Sequence, residues 1–526
     1  MPSSGGRRDL LILGLLLAGT AFYTARAVDF SIGPYEDAAM LMRYAVHLGQ
    51  GHGIVWNVGE PPVDGATDFL FLVSAAGLVR LGLAVEVAVR LLTLVAHLLT
   101  VALVYLGARR LAGAPAWAAA LSAAYLAAGP GPRYAAAYFG TPFFALFACL
   151  TWLAAMALAG RGATHGRAAA FAISGLALGL TRPEGVILAA LMLLSVALLA
   201  GRRESRTAVL WFAGVFGLLG GAYFLWRWSY FGHPLPNPFL KKGGGRLYPT
   251  SARESVQFVV AQGLPFFAPV LAALSFERTR RRAVAVLTPV GGFALAFLLI
   301  SNAMNFGGRF QYALLPVLLL SWWPLAADAL REFRLPRFEE LSREARRAAV
   351  LVGFLGAAAA VWYSHARSRG VTYHEDGRYA VALSLRSLAG RGYTLATSEA
   401  GLLPLYSGWR TIDTWGLNDP WITRNGGVTD EYLDRSRPEI VMFNGPWAGK
   451  TPAGDWEEMA ARLHRYARDR NYVLAAVFGE EGSGWANFYY VRRDAEAGAE
   501  IVRRIRAADY RLWVNGRRLP NLAPAN

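Results

Sequence analysis

Apolar runs recur along the chain from Leu10 to Tyr363. Many of them approach the ~20 residues that an α-helix needs to cross the hydrocarbon core of a bilayer. Of the residues, 55% are hydrophobic and only 17% are charged, whereas soluble domains carry roughly 25% charged residues. We therefore predict a polytopic α-helical membrane protein with about 11 spans, or about 13.

Two apolar regions need separate interpretation. The region 69–108 holds two apolar runs where the alternation of loops allows one crossing, so we predict that one run is re-entrant or short and tilted. The first run, Leu10 to Ala27, follows a basic start but has no convincing cleavage site. We interpret it as an uncleaved helix rather than a signal peptide. The single cysteine, Cys149, lies within an apolar run, which excludes disulfides and cysteine metal sites.

Short basic loops give the orientation, because cytoplasmic loops of membrane proteins carry an excess of Lys and Arg. The formal charge of +17 is concentrated in these loops rather than in one patch, so we predict no nucleic-acid partner. The basic clusters are Arg7-Arg8, Arg109-Arg110, Arg161 to Arg167, Arg202 to Arg206, Arg278 to Arg282 and Arg331 to Arg347.

With the basic clusters and the N-terminus in the cytoplasm, the runs after residue 115 alternate without conflict. The outward loops are then 29–68, 129–140, 181–185, 231–254 and 302–309. The last span, near 348–364, places everything after it outside the cytoplasm. We therefore predict a multi-pass protein of the cell (inner) membrane with an extracytoplasmic C-terminal part.

The composition changes after about residue 365, because 366–526 is polar throughout and has no run long enough to span. We predict a membrane domain, 1–365, with the long first outward loop 29–68, and a soluble extracytoplasmic α/β domain, 366–526, since about 160 residues suffice for a domain. Its predicted strands are Thr394 to Thr397, Arg410 to Thr414, Glu439 to Phe443, Tyr472 to Phe478 and Phe488 to Val491. Its predicted helices are Asp455 to Asp469 and Glu496 to Ala507.

Two adjacent carboxylates, Glu36 and Asp37, follow the first apolar run. At the outer mouth of a membrane protein, they are suited to taking a proton from a sugar hydroxyl or to holding a metal beside a phosphate. Met40 to Leu48 has the spacing of an amphipathic helix, which we predict to lie on the membrane surface with Met42, Val46 and nearby apolar side chains facing lipid. Alternatively, both acids only cap this helix, since acids are favoured at helix N-termini.

Two arginines open outward at the ends of spans. Arg182 lies in the tight hairpin 181–185, and Arg309 follows Gly307-Gly308 in the fourth outward loop. The planar guanidinium suits bidentate contact with a phosphate, so we predict that both bind one. Arg182 could instead form an ion pair with Glu184 or anchor the hairpin at the interface.

The loop 231–245 begins with prolines and ends with glycines, so it is rigid first and flexible after. We predict that it closes as a lid over a lipid-borne substrate. Lys241 and Lys242 are basic residues in an outward loop, and they indicate either an anionic ligand or attraction by lipid headgroups. His52 and His233 are too far apart in sequence to indicate a metal site.

Acids beside phosphate-binding cations at a membrane surface match the chemistry of sugar transfer from a lipid-phosphate donor. The acid activates the hydroxyl of an acceptor, and the cations stabilise the departing phosphate. The glycine-rich GxxxxGK[ST] pattern of nucleotide-driven pumps is not present in the sequence.

An ordered set of short motifs covers nearly the whole chain. In the membrane part these are Glu36-Asp37, Gly51 to Asn57, Leu180 to Gly185, Tyr230 to Asn237 with Lys241, and Gly308-Arg309-Phe310. In the soluble part they are Ser398 to Gly401, Tyr406 to Gly408 and Asp413 to Asp419. The set resembles the GT-C superfamily of polyprenyl-phosphate-sugar-dependent glycosyltransferases, and above all the bacterial terminal arabinofuranosyltransferases of cell-wall arabinan.

The resemblance implies an inverting transfer from a polyprenyl-phosphate sugar to an envelope glycan or lipid acceptor, with the soluble domain guiding the acceptor. It implies Asp37 as general base, with Glu36 beside it. The residues expected to hold the donor phosphate are Arg182, Arg309, Lys241 and Lys242. The residues expected to contact substrate are His52, His233, Asn237, Glu399 and Asp413. No cofactor is certain, and a divalent cation is an option, because some members of the superfamily use one.

Two departures from the family pattern concern acids. Relatives often carry an acid where this chain reads Gly140, so an expected second carboxylate is missing. Glu399 stands where an aspartate is common. Two rival functions remain open: a transporter or flippase of lipid-linked sugars, and a glycan-binding membrane scaffold without catalysis.

Overall fold

The computed structural model describes residues 4–243, 245–332, 342–369, 371, 377–446, 454–479, 485–508, 512–514 and 517–519. The helices of the first part are α1 (Ser4–Ala27), α2 (Glu36–Gly49), α3 (Phe69–Arg80), α4 (Val85–Arg110), α5 (Ala116–Ala127), α6 (Gly131–Ala136), α7 (Thr141–Arg161) and α8 (His165–Thr181). They continue with α9 (Gly185–Leu199), α10 (Arg202–Val215), α11 (Gly221–Phe231), α12 (Asn237–Gly243), α13 (Pro249–Ala272), α14 (Glu277–Ala296), α15 (Leu315–Glu332) and α16 (Arg343–Arg369).

Within the described ranges, seven helices are long and apolar enough to cross a membrane, so the chain is a multi-pass membrane protein. They are Gly6–Ala27, Val85–Arg110, Thr141–Arg161, Arg202–Phe231, Pro249–Ser275, Phe306–Glu332 and Arg343–Arg369. Phe69–Arg80 and Gly185–Leu199 are shorter apolar helices.

The sequence predicts about 11 spans, which is more than this count, because some apolar runs form helices that are short or begin with charged residues. Helix α5 has 12 residues, and α14 begins with a cluster of arginines within its 20 residues. In the region 69–108, α3 has 12 residues and α4 has 26. At 1.5 Å per residue α3 is about 18 Å long, shorter than the hydrocarbon core. The prediction of one short helix in this region is therefore confirmed.

Helix α2 confirms the predicted helix in the first loop, but the prediction for its apolar face was wrong. Met42 is fully buried within the protein, in one core with residues of α3 and α4. The helix packs against α3 and against the soluble domain. Its apolar face is covered by protein because loop 29–68 folds back, and a buried Met42 cannot face lipid.

The soluble part is built on a five-stranded sheet with strand order β2-β1-β3-β5-β4. Strand β1 pairs in parallel with β2 and β3, and β5 pairs antiparallel with β3 and β4. The strands are β1 (Thr394–Thr397), β2 (Arg410–Asp413), β3 (Ile440–Pro446), β4 (Tyr472–Gly479), β5 (Trp485–Arg492), and a separate pair, β6 (Leu512–Val514) and β7 (Arg517–Leu519). The helices are α17 (Arg378–Leu385), α18 (Leu402–Ser407), α19 (Pro420–Arg424), α20 (Asp430–Ser436), α21 (Asp455–Asp469) and α22 (Gly498–Ala507).

The five predicted strands and both predicted helices of this part are confirmed, most of them to within three residues. Apolar clusters cover both faces of the sheet, one with Leu385 and Ile501 and the other with Leu433 and Leu463. A two-sided core of this kind is typical of an α/β domain with parallel strands.

The motif Gly51 to Asn57 joins the first loop to the sheet. The indole nitrogen of Trp56 and the amide nitrogen of Asn57 each donate a hydrogen bond to the carbonyl of Thr411, at 3.0 Å. The backbone nitrogen of Thr411 donates in return to Asn57 Oδ1 at 2.9 Å. Arg43 is buried and donates to Asn57 Oδ1 and to the carbonyl of Trp409. These bonds hold α2 against the edge strand β2.

Candidate active site at the N-terminus of α2

The two acids at the start of α2 have different partners. Oε1 of Glu36 accepts hydrogen bonds from the backbone nitrogens of Gly401 and Leu402, and Oε2 lies 3.4 Å from Arg378. Asp37 instead lies beside Arg309, with Oδ2 at 2.5 Å from Nη2. The first carboxylate therefore binds the soluble domain, and the second faces the membrane part.

Arg309 is fixed in place by the turn before it. Gly307 and Gly308 have φ of 60° and 75°, a region that favours glycine. A Cβ on Gly308 would lie 2.8 Å from the ring of Phe258, so a larger residue does not fit. The guanidinium of Arg309 lies 3.9 Å from the ring centre of Phe139, and the side chain is 8% exposed.

Arg182 follows the last residue of α8, at the start of the hairpin between α8 and α9, where it contacts two acids. Its Nε lies 2.6 Å from Glu184 Oε1, and its Nη1 lies 3.4 Å from Asp68 Oδ2. The ring of Phe310 joins the two arginines, because its centre lies 4.6 Å from the guanidinium of Arg182 and 5.0 Å from that of Arg309. The Arg182–Glu184 ion pair considered for this hairpin is thus present, and Arg182 also faces the site.

One pocket of about 140 Å³ is lined by Asp37, Asp68, Arg182 and Arg309. These residues come from α2, from the end of the first loop, from the α8–α9 hairpin and from the turn before α15. Two predicted phosphate-binding arginines and the predicted base therefore meet in one cavity. Pro238 of the predicted lid and Leu417 of the C-terminal part also line it.

Asp68 is the residue of this site that was not predicted from the sequence. Its carboxylate is mostly buried, and burial raises its pKa, opposed by the nearby Arg182. A usable signal was present in the sequence, because Asp68 is the last acid before the apolar run of α3. A carboxylate at the mouth of an apolar helix indicates function on the same grounds as Glu36 and Asp37.

Gly140 lines the same pocket, where an acid was expected from the resemblance. A Cβ on Gly140 would lie 2.8 Å from the ring of Phe71, so there is no room for a longer side chain. Phe71 follows Asp68 by three residues on α3. The packing that excludes a carboxylate from position 140 is thus made by the helix that begins beside Asp68.

Of the predicted lid, Pro238 lines the pocket, whereas the residues expected to contact substrate do not. The backbone nitrogen of Asn237 donates to the carbonyl of Asp64 at 3.1 Å, and its side chain is buried. His233 is engaged within its own loop, with Nδ1 at 2.7 Å from the carbonyl oxygen of Leu235. The ammonium of Lys241 lies 4.3 Å from the ring centre of Trp415 rather than in the pocket lining. The side chain of Lys242 lies outside the described residues.

The remaining predicted substrate contacts are not in the pocket lining. His52 is exposed and packs near His47. Glu399 forms an ion pair with Arg378, in the same cluster as Glu36. Asp413 is buried and accepts hydrogen bonds from the backbone nitrogens of Trp415, Gly416 and Asn418, which organises the turn after β2.

The described residues contain no group of three or more His, Cys, Asp and Glu side chains that could hold a metal ion. The acids of the pocket are each matched to an arginine instead. The site is thus organised as opposed charges around a cavity, an arrangement that can bind an anion and hold a carboxylate beside it.

Comparison with known proteins concerns the fold of the chain. Residues 366–495 match a family model described as a domain of unknown function, DUF8728. Among curated proteins, none matches the sequence. Solved structures do match. ArnT from Cupriavidus metallidurans has a TM-score of 0.57 at 15% identity, covering 93% of this chain and 98% of ArnT. The same protein is also known with undecaprenyl phosphate bound, with a TM-score of 0.55.

Two further structures share the fold. The oligosaccharyltransferase of Archaeoglobus fulgidus matches with a TM-score of 0.53 at 12% identity, covering 82% of this chain and 69% of that one. The arabinofuranosyltransferase AftD from mycobacteria matches with a TM-score of 0.51 at 15% identity, covering 93% of this chain and 40% of AftD. All three are GT-C glycosyltransferases. The chain therefore has the fold of the GT-C membrane glycosyltransferases.

Proposed function

We propose that this protein is a membrane glycosyltransferase that moves a sugar from a polyprenyl-phosphate donor to a hydroxyl of an envelope glycan or lipid. The observation that carries the proposal is the pocket in which Asp37 lies between Arg309 and the Arg182 hairpin. A phosphate-binding pair of guanidinium groups beside a carboxylate supplies both functions that the reaction needs.

The arginines bind the donor phosphate. Both guanidinium groups line the same pocket and pack on the ring of Phe310, which supports a single phosphate that accepts hydrogen bonds from each. Arg309 is nearly buried, which strengthens its attraction for an anion because little water screens the charge. The same pair stabilises the negative charge that grows on the phosphate as its bond to the sugar breaks.

Asp37 acts as the general base. It takes the proton of the acceptor hydroxyl, whose oxygen forms a bond to the anomeric carbon while the bond from that carbon to the phosphate oxygen breaks. The bonding electrons leave with the phosphate. Asp37 is 27% exposed, so an acceptor can reach it from the cavity. Attack opposite the phosphate inverts the anomeric configuration.

The lipid carrier and the acceptor are proposed on separate grounds. The structural neighbour ArnT binds undecaprenyl phosphate, and the pocket here lies among the ends of apolar helices, where a polyprenyl chain can stay in lipid while its phosphate enters. The C-terminal domain contributes Leu417 to the pocket lining, which supports a role of this domain in guiding the acceptor. An arabinofuranosyl donor is one candidate, as for the neighbour AftD, beside other pentosyl and hexosyl donors.

We further propose that the pocket opens on the outer side of the inner membrane, with the N-terminus in the cytoplasm and the soluble domain outside. The distribution of basic loops supports this orientation. The divalent cation considered from the resemblance is not assigned a role, since the pocket acids are matched to arginines.

The test is a transfer assay with the purified protein. A synthetic polyprenyl phosphate carrying a labelled pentose or hexose is incubated with a panel of envelope glycans and glycolipids, and the label is followed from lipid to acceptor. We expect transfer with one donor class and its loss in Arg309→Gln. The proposal would be contradicted if the protein binds undecaprenyl phosphate but neither releases nor transfers the label from any donor tested.

A further inference from the structure

The charges of the pocket do not balance once a donor is added. Three carboxylates, from Asp37, Asp68 and Glu184, contact two guanidinium groups, from Arg182 and Arg309. With all of them ionised, this cluster already carries one excess negative charge. A sugar phosphodiester brings a further negative charge into a partly buried site, where like charges repel strongly.

The three carboxylates are not held equally. Asp37 lies 2.5 Å from Arg309, and Glu184 lies 2.6 Å from Arg182. Asp68 is 3.4 Å from Arg182, which it shares with Glu184. A short charge-assisted hydrogen bond favours the ionised carboxylate, so the acid with the longest contact is the one that a proton neutralises at the lowest cost.

The carboxylate of Asp68 does not cap α3. Asp68 is the N-cap residue of α3, where an aspartate normally accepts a hydrogen bond from the first turn of the helix. Its side chain makes no such bond. It instead faces Arg182, with a 3.3 Å hydrogen bond donated by the hydroxyl of Thr67. The carboxylate is therefore directed into the pocket at the expense of capping.

The groups that face Asp68 come from every side of the pocket. Arg182 and Glu184 belong to the α8–α9 hairpin, Arg309 to the turn before α15, and Asp37 to α2. Burial and Glu184 raise the pKa of Asp68, whereas Arg182 and Arg309 lower it. When a phosphate competes for both arginines, two of the influences that keep Asp68 ionised weaken together, and the negative charge of the phosphate also favours the protonated acid.

We propose that Asp68 is a donor-binding residue that takes up one proton when the phosphodiester enters and donates a hydrogen bond from its carboxyl to a phosphate oxygen. The proposal rests on the proposed function. The proton comes from solvent and offsets the negative charge of the phosphodiester. The net charge of the cluster is therefore the same with and without the donor. Asp68 thus supplies the second carboxyl of the site, and it does so as an acid while Asp37 acts as a base.

The experiment measures the proton directly. The probe is undecaprenyl methyl phosphodiester, which has no second ionisation and keeps one negative charge between pH 5 and pH 8, unlike a phosphomonoester with its pKa near 6. The full-length protein in detergent is titrated with this probe by calorimetry in two buffers of different ionisation enthalpy. The difference in heat gives the number of protons taken up for each molecule bound.

We expect wild-type protein to take up about one proton at pH values between the pKa of Asp68 in the free protein and its raised pKa in the complex, and its affinity to fall by about tenfold for each pH unit there. Asp68→Asn resembles the protonated acid, so it should bind the probe without proton uptake and with little dependence on pH. Asp419→Asn is the matched control, because burial raises the pKa of Asp419 too but this residue caps α19. It should keep the proton uptake of the wild type.

Binding without proton uptake in the wild type, or unchanged uptake in Asp68→Asn, would overturn the role of Asp68. The first result would also follow if Lys241 left Trp415 and neutralised the phosphate itself. A wild-type protein that does not bind the probe at any pH would overturn the proposed donor class instead. Thermal unfolding of Asp68→Asn with and without the probe separates loss of binding from loss of fold, since a bound ligand raises Tm.

Discussion

The guanidinium of Arg309 lies 2.5 Å from the carboxylate of Asp37, although the two residues are 272 positions apart in the sequence. The pair joins the start of α2 to the turn before α15 across one pocket. If Arg309 binds the donor phosphate as proposed, the phosphate competes with Asp37 for this arginine, and donor binding releases the carboxylate next to the place where an acceptor hydroxyl would arrive. This relationship connects the binding of the donor to the supply of the base.

Asp37 and Glu36 should separate into a catalytic and a structural role. Asp37→Asn keeps the shape but removes the base, so turnover should fall by roughly 10²–10⁴-fold in protein that is still folded, although loss of the charge opposite the nearly buried Arg309 also lowers Tm. Glu36→Gln weakens bonds to Gly401, Leu402 and Arg378, so it should mainly lower stability, by about 1–3 kcal/mol. Steady-state kinetics and thermal unfolding of both variants provide the check. Near-normal turnover in both would mean that the acids only support the N-terminus of α2.

Arg182 and Arg309 should be energetically coupled through the donor. Arg182→Lys and Arg309→Lys keep the charge but lose the planar fork, so each should raise the KM for donor with little effect on acceptor KM. Two groups that share one anion do not contribute independently, so a double-mutant cycle should give a coupling of at least about 0.5 kcal/mol. Arg437→Lys, in an exposed pair with Asp494, is the control and should change neither KM. Additive effects would show that one of the two arginines does not contact the phosphate.

Gly401 should be essential for the contact between the soluble domain and α2. A Cβ at this position would overlap the backbone carbonyl oxygen of Glu36, so Gly401→Ala must push the domain away from the start of α2. We expect transfer to fall at least about tenfold, because a small displacement of catalytic groups is costly. Gly390→Ala is the matched control, since no atom of the described residues lies within 4 Å of the place that its methyl group would take. Equal activity of the two variants would show that the contact is not needed.

The orientation of the chain can be tested with reporters. If the basic loops are cytoplasmic, an alkaline phosphatase fused after Asn526 should be active, since that enzyme folds only outside the cytoplasm. The same enzyme fused within the basic segment Arg202 to Arg206 should be inactive. The opposite pattern would place the pocket on the cytoplasmic side and change the donor pool that can reach it.

The elements of the fold were largely predictable, because each depends on a local pattern. Strand β1 and helix α21 have the bounds that alternation and helical periodicity predict. Spacing alone could not predict whether the apolar face of a helix contacts lipid or protein. Met42 lies on an apolar face that lipid or protein could cover, and only the folding of loop 29–68 against α3 decides that protein covers it.

The site was predicted in part for a similar reason. Asp37, Arg182 and Arg309 stand at the ends of apolar runs, and charges there indicate function even in isolation. Asp68 was missed because a lone aspartate before a helix fits ordinary capping, and only the structure shows its side chain beside Arg182. His52, Glu399 and Asp413 belong to motifs of the family, but a motif does not distinguish a residue that contacts substrate from one that supports the loop or the domain.

The most direct measurement of the central claim is sugar transfer by protein reconstituted into liposomes, with a labelled polyprenyl-phosphate sugar and an acceptor glycan. Movement of the donor between leaflets is followed in the same vesicles. We predict that label moves from lipid to acceptor and that Asp37→Asn lowers this rate by roughly 10²–10⁴-fold while donor binding persists. Movement of the donor across the bilayer without any transfer, or binding without either, would contradict the account and favour a flippase or a glycan-binding scaffold.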